Sequence, residues 1–358
     1  MPSSHHKTAL FPPVKGADFW VYHAVSPTIH PSLALILHNF FTRMETTKAE
    51  KMIDYHVAIR GALFDIAQVC DSADEIALNA RFIEDGLLFI RDGYIQARMT
   101  WQEGEQHLDA QKGYTDRRGK LLLPGFIDAH VHYPQTEMIG AFGEQLLEWL
   151  TTYTFPVESQ FADEAYADEI ARFFIEQLLS HGTTTAMVFC TLHPASVNAL
   201  FSEALRLNMR LIAGKVMMDR HAPEYLSETA EESYRQTREL ILRWQHQGRL
   251  GYALTPRFAP TSTPELLDAV RRLREEFPQT WLQTHLSENP NEVAWVNDLW
   301  PEHARYLDVY HHYGLTGEGS VFAHGIHLHD EEWQCLHDTG SAVAFCPTSN
   351  LFLGSGLF

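Results

Sequence analysis

Two textures of hydrophobic and polar positions divide the chain. From Tyr55, residues 55–61 and 87–95 alternate as short strands, the second turning back at Asp92-Gly93. Residues 52–123 are therefore expected to form a small β-rich unit. Beyond Pro124, apolar runs alternate with amphipathic stretches. The runs 125–132, 183–189, 210–217, 249–256, 280–285, 320–324 and 341–345 read as strands. Between them, stretches such as 163–179, 196–207, 228–245, 263–277 and 330–339 carry helical spacing. Seven strand-then-helix units in succession predict an α/β fold, a parallel sheet covered by helices. A doubly wound sheet would place a glycine-rich phosphate loop after its first strand. Pro124-Gly125-Phe126-Ile127-Asp128-Ala129-His130 has none. A TIM-type (β/α)8 barrel over 124–358, one unit short, is the expectation. Residues 1–51, rich in Pro, His and aromatics without periodicity, are expected to be a poorly ordered extension.

Composition narrows the function classes. With 27 basic and 46 acidic residues the formal net charge is −19, a field that repels phosphate and argues against a nucleic-acid polymer as partner. No apolar run approaches the roughly 20 residues needed to span a bilayer, so no membrane is expected. The four cysteines, Cys70, Cys190, Cys335 and Cys346, lie far apart without CxxC pairing, as expected of a reduced cytoplasmic protein.

The 21 histidines matter through their placement. His130 and His132 are two apart at the end of the first barrel strand, so both imidazoles point to one face. His285 closes the fifth strand and His324 the sixth. The C-terminal ends of barrel strands converge on one mouth, so four imidazoles are expected around a common centre. Singly, each reads equally as a core or surface histidine. Four at equivalent strand ends point to a metal. Glu288, three residues past His285, is either a proton carrier at that centre or a solvated surface carboxylate.

The segment Pro124-Gly125-Phe126-Ile127-Asp128-Ala129-His130-Val131-His132 resembles the first-strand signature of the amidohydrolase superfamily. His181-Gly182-Thr183-Thr184-Thr185, His285-Leu286-Ser287-Glu288 and Ala323-His324-Gly325 match its later strands in order. Longer runs resemble the guanine deaminases within it: Tyr133-Pro134-Gln135, the run 143–150 (GEQLLEWL), Lys215-Val216-Met217-Met218-Asp219-Arg220, Thr255-Pro256-Arg257-Phe258-Ala259-Pro260-Thr261 and Cys346-Pro347-Thr348-Ser349-Asn350-Leu351. This resemblance implies one Zn2+ per subunit, held by His130, His132, His285 and an aspartate from an eighth strand. It implies Glu288 as proton shuttle and His324 as the group orienting the hydroxide. Guanine would lie among His132, Gln135, Arg257, Phe258, His285 and Glu288, and would leave as xanthine and ammonia. Arg257 presents a planar fork that matches the O6 and N7 acceptors, with a helix-facing salt bridge as its alternative role. Gln135 offers an amide edge and Phe258 a stacking face. The fourth strand carries no lysine or acid to bridge two ions, so the resemblance points to a single metal. A homodimer is also implied.

The chain ends at Phe358, just past the seventh strand candidate, and nothing after Asn350 supplies the eighth-strand aspartate. The expectation is a barrel truncated after about seven strands, poorly active in this form. The alternatives are another amidohydrolase deaminase, acting on cytosine, an adenosine-type base or an aminotriazine, and a non-catalytic scaffold of the same fold.

Overall fold

A computed structural model of the chain describes residues 52–70, 72–141 and 146–357. The expected extension 1–51 and the Gly143-Glu144-Gln145 part of one motif lie outside the described residues. Contacts divide the described chain into two units, one of residues 52–126 with 180–184, the other of 127–179 with 185–357.

The smaller unit is a sheet of β1 (Val57–Ile66), β2 (Ala80–Arg91), β3 (Tyr94–Thr100) and β4 (Thr115–Leu122), in the order β3-β2-β1-β4. β2 and β3 join at Asp92-Gly93, where Arg91 faces Tyr94 and the two turn residues have φ of 53° and 83°. Two left-handed residues in a two-residue loop make a type I′ turn, which suits the twist of the flanking strands. Alternation along β1 and β2 feeds two apolar clusters. Ile59, Leu63, Leu88, Ile90 and Leu122 pack on one face, and Tyr55, Ala58, Leu87 and Phe89 on the other. The apolar pattern marked β1 and the β2–β3 hairpin but not β4, whose run Thr115–Leu122 is half charged and mostly exposed.

The larger unit is built on β5 (Phe126–His132), β6 (Thr183–Phe189), β7 (Arg210–Gly214), β8 (Val216–Met217), β9 (Leu250–Pro256), β10 (Trp281–Leu286), β11 (Ser320–His324) and β12 (Ala342–Ala344). They form a near-closed parallel barrel sheet in the order β12-β11-β10-β9-β7-β6-β5, with β8 beside β9. β9 is buried along its whole length, as expected of a parallel strand covered on both faces. The expected strand 210–217 is broken at Lys215. Its backbone N–H leaves the ladder and donates to the Tyr252 hydroxyl at 3.1 Å.

Eight helices matter for the site: α1 (Glu164–Ser180), α2 (Pro194–Arg206), α3 (Ala230–Trp244), α4 (Pro264–Glu276), α5 (Pro290–Leu299), α6 (Tyr306–His312), α7 (Asp330–Thr339) and α8 (Pro347–Phe352). Five of them coincide with expected helices to within two residues. The starts have chemical causes. Thr229 and Thr263 accept hydrogen bonds from backbone N–H groups three residues on. Asn289 and Glu292 make a capping box, with Pro290 at the first helical position. α5, α6 and α8 were not expected; α6 and α8 are short, and the apolar residues Val293 to Val296 of α5 run consecutively instead of marking one face. Among the described residues, no helix is long and apolar enough to cross a membrane.

Candidate active site

Alternation on β5 brings His130 and His132 to the same face, their ring centroids 5.0 Å apart. His285 near the end of β10 and His324 at the end of β11 complete the group. From His130 the centroids of His285 and His324 lie at 4.9 and 5.3 Å. The four histidines that the sequence placed at strand ends are thus one cluster. The Nε2 atoms of His132 and His285 are 3.0 Å apart. The His285 Nδ1 lies 2.7 Å from the Arg257 carbonyl oxygen, which fixes Nδ1 as the protonated nitrogen and leaves the Nε2 lone pair free. Burial pushes His130, His132 and His285 well below the ordinary histidine value, so the three rings are neutral and fit to bind a cation. Among the described residues, the groups able to hold a metal are His130–His132–His285 and His130–His324–Cys346.

The loops after β10 and β11 lock the next groups. Ser287 and His324 sit at φ of 50° and 75°, in the left-handed region that non-glycine residues rarely adopt. The backbone N–H groups of Gly325 and Ile326 donate to the carbonyls of Leu286 and Ser287, at 2.9 and 3.1 Å, tying the two strand ends together. This turns Glu288 toward His324, with 3.4 Å between the carboxylate and Nε2. His324 Nδ1 pairs with Asn350 Oδ1 at 2.7 Å, which directs Nε2 at Glu288. Glu288 is 4% exposed, and burial pushes its carboxyl up to about 8, opposed by the nearby positive charge of Arg257. It is not a solvated surface carboxylate.

Arg257, after β9, is buried and forms an ion pair with Glu158 of the short helix Phe155–Ser159. One guanidinium nitrogen, Nη1, takes both carboxylate oxygens at 2.9 and 2.7 Å. The salt-bridge role is therefore present, and it uses one corner of the fork. Phe258 is buried in an apolar cluster with Met138, Phe155, Phe189 and Met218. Gln135 is half-buried in the short 3-10 helix Tyr133–Met138 that follows His132.

Sequence reasoning passed over several neighbours. Phe189, ending β6, stacks on His132 with centroids 4.5 Å apart. Glu292 accepts the Glu288 and Asn289 N–H groups at 2.8 and 3.2 Å and the Tyr306 hydroxyl at 2.8 Å. Its signal, Asn-Pro-Asn-Glu, is a readable capping box. Glu158 left no local signal, since it meets Arg257 only through the fold.

The amidohydrolase family matches residues 121–358, which hold every histidine of the cluster. The chain belongs to the amidohydrolase family. Within the family its likeness is to guanine deaminases. It is 58% identical over 301 residues to the guanine deaminase of Escherichia coli (strain K12), a match covering 84% of this chain and 69% of the relative. It is 40% identical to the guanine deaminase of Dictyostelium discoideum, over 70% of this chain and 56% of the relative. The solved E. coli guanine deaminase superposes with a TM-score of 0.83, at 57% identity over 84% of this chain and 70% of that one. A guanine deaminase from C. acetobutylicum, solved with guanine bound in the active site, gives 0.75 at 31% identity over the same shares. An atrazine chlorohydrolase from Arthrobacter aurescens solved with zinc shares the fold at 21% identity and a TM-score of 0.69, over 84% of this chain and 68% of that one. The guanine deaminases it resembles are hydrolases of C–N bonds, and this chain spans about 56–69% of the length of the two curated relatives named.

Proposed function

We propose that this centre deaminates guanine hydrolytically, giving xanthine and ammonia, with one zinc ion held by His130, His132 and His285. The observation that carries the reading is the convergence of three neutral imidazoles with a paired Glu288 and His324 at neighbouring strand ends. The donors fit the ion. Tetrahedral zinc with bonds of about 2.0–2.1 Å keeps its nitrogens about 3.3 Å apart, close to the 3.0 Å between His132 and His285. Bound there, zinc supplies Lewis acidity that lowers the pKa of a water toward about 7.

The chain's own groups do the rest. His324, steered by Asn350, orients the attacking water. Glu288 takes a proton from that water and returns it to a ring nitrogen as the oxygen adds to C2. A second proton passes to the amine, and ammonia leaves. A carboxyl pushed up to about 8 by burial exchanges protons readily near neutral pH. Glu158 holds Nη1 of Arg257, so the remaining corner of the fork is free for the O6 and N7 acceptors of guanine. Adenine keeps the N7 acceptor but presents a donor at position six, so it loses one of the two bonds. Gln135 and Phe258 complete the purine site as an amide edge and an apolar wall. A homodimer in the cytoplasm belongs to the same reading.

The test is zinc content by elemental analysis beside guanine consumption, in the wild-type chain and in His130→Asn and His285→Asn. The reading predicts about one zinc per chain and its loss, together with turnover, in both variants. Full zinc content in either variant would move the ion elsewhere and remove the basis of the proposal.

A further inference from the structure

The cysteine of the run Cys346-Pro347-Thr348-Ser349-Asn350 has no part in the reaction described above. It lies between β12 and α8 and is half-buried. Its sulfur and one nitrogen each from His130 and His324 lie within 4.8 Å of one another. This is a second set of metal donors, sharing only His130 with the first, and different in kind: two imidazoles and a thiol in place of three imidazoles.

His324 is prepared as a ligand in the same way as His285. A carbonyl oxygen holds Nδ1, here the side-chain oxygen of Asn350 at 2.7 Å, so Nε2 carries the lone pair, with the Glu288 carboxyl 3.4 Å away as its neighbour. Metal-binding imidazoles are commonly fixed by such a partner. The Asn350 bond also fixes the orientation of the ring. Cys346 is held too, its sulfur 3.2 Å from the Ala344 carbonyl oxygen. Thiolate donors select soft, thiophilic ions, whereas imidazole accepts a wider range.

We propose that His130, His324 and Cys346 form a second, sulfur-containing metal site that captures thiophilic ions such as cadmium and inhibits the enzyme when filled. Capture forms a metal–sulfur bond and breaks the S–H bond of Cys346, and the proton passes to the solvent. Two consequences follow from the shared residues. An ion in the sulfur set draws His130 away from the three-histidine set. It also occupies His324, which can then no longer orient water. Thiophilic ions therefore inhibit by relocating ligands, without resembling the substrate.

The experiment titrates the full chain with Cd2+ and follows ultraviolet difference absorbance, where cadmium–thiolate bonds give a charge-transfer band and cadmium–imidazole bonds do not. The expected result is a band that saturates at about one equivalent and is lost in Cys346→Ser, with cadmium affinity reduced at least about tenfold, the scale of losing a partner at a metal site. Zinc content checks that the variant is still folded around its three histidines, and Cys346→Ala provides a second replacement. Absence of the band from the wild-type chain would overturn the proposal. So would a band that persists in Cys346→Ser, since the sulfur would then be Cys70 or Cys335. The spectrum does not depend on guanine chemistry, so a protein that shows the band but leaves guanine unchanged would refute the deaminase reading alone.

Discussion

At the scale of single residues, the proposed reaction rests most heavily on Glu288 and Arg257. Glu288→Gln keeps the shape and removes the proton carrier. Expected are unchanged zinc content and a kcat lower by about 10²–10⁴-fold, the usual contribution of such a group; a rate near wild type would exclude Glu288 from proton transfer. Arg257 has two duties that one substitution cannot separate. Arg257→Met strands the buried Glu158 carboxylate, at a cost of about 3–5 kcal/mol of stability, and raises the KM for guanine by the equivalent of about 1–3 kcal/mol. Adding Glu158→Leu replaces the pair with apolar groups and restores most of the stability. Urea unfolding and steady-state kinetics on single and double variants separate the duties. KM stays high in the double variant if Arg257 meets the purine, and recovers with stability if the arginine only supports the fold. The histidines were legible because two-residue spacing and strand ends fix direction before any tertiary contact exists. Glu158 was not, because its partner is 99 residues away.

At the scale of elements, the start of α5 is what aims Glu288. Glu292 gathers the N–H groups of Glu288 and Asn289 and the Tyr306 hydroxyl, while Asn289 caps the helix. Asn289→Ala is expected to cost about 1 kcal/mol of stability and to lower kcat more than it raises KM, because it loosens the base and leaves the purine wall intact. The Glu292 carboxyl is pushed up to about 7, first by burial and then by the neighbouring Glu288. A carboxyl raised in the folded state contributes stability that is complete below its unfolded value and is lost as pH rises through its folded one. Zinc-free protein should therefore lose stability between about pH 5 and 7, at up to about 1.4 kcal/mol per pH unit for each proton involved. Glu292→Gln should flatten that slope, and denaturant unfolding in chelator at several pH values measures it. An unchanged slope would mean that Glu292 does not titrate there. The five helices with a clear apolar stripe were visible in that spacing, as were the strands of the barrel sheet. The short helices and the charged strand β4 were not, since their places depend on caps and on the neighbouring strand.

At the scale of the whole molecule, seven strand-and-helix units predicted a parallel barrel sheet, and the structure and the family match agree on it. The formal net charge of −19 argued against a polyanionic partner yet said nothing about a neutral base in a pocket. That depended on three strand ends, those of β5, β10 and β11, bringing four histidines to one point. Zinc that binds only the folded chain stabilises it, by about 2.7 kcal/mol when free zinc is 100 times its dissociation constant. Thermal unfolding with chelator and then with zinc restored should shift down and back, and no shift would deny the ion a place in the fold. The most direct test of the central claim is product analysis of the zinc-loaded chain offered guanine, adenine, cytosine and an aminotriazine, with turnover counted per bound zinc. The account predicts xanthine and ammonia in equal amounts from guanine, stopped by chelation, and no ammonia from the other bases. Ammonia from another base in place of guanine, or guanine left intact by zinc-filled protein, would contradict it.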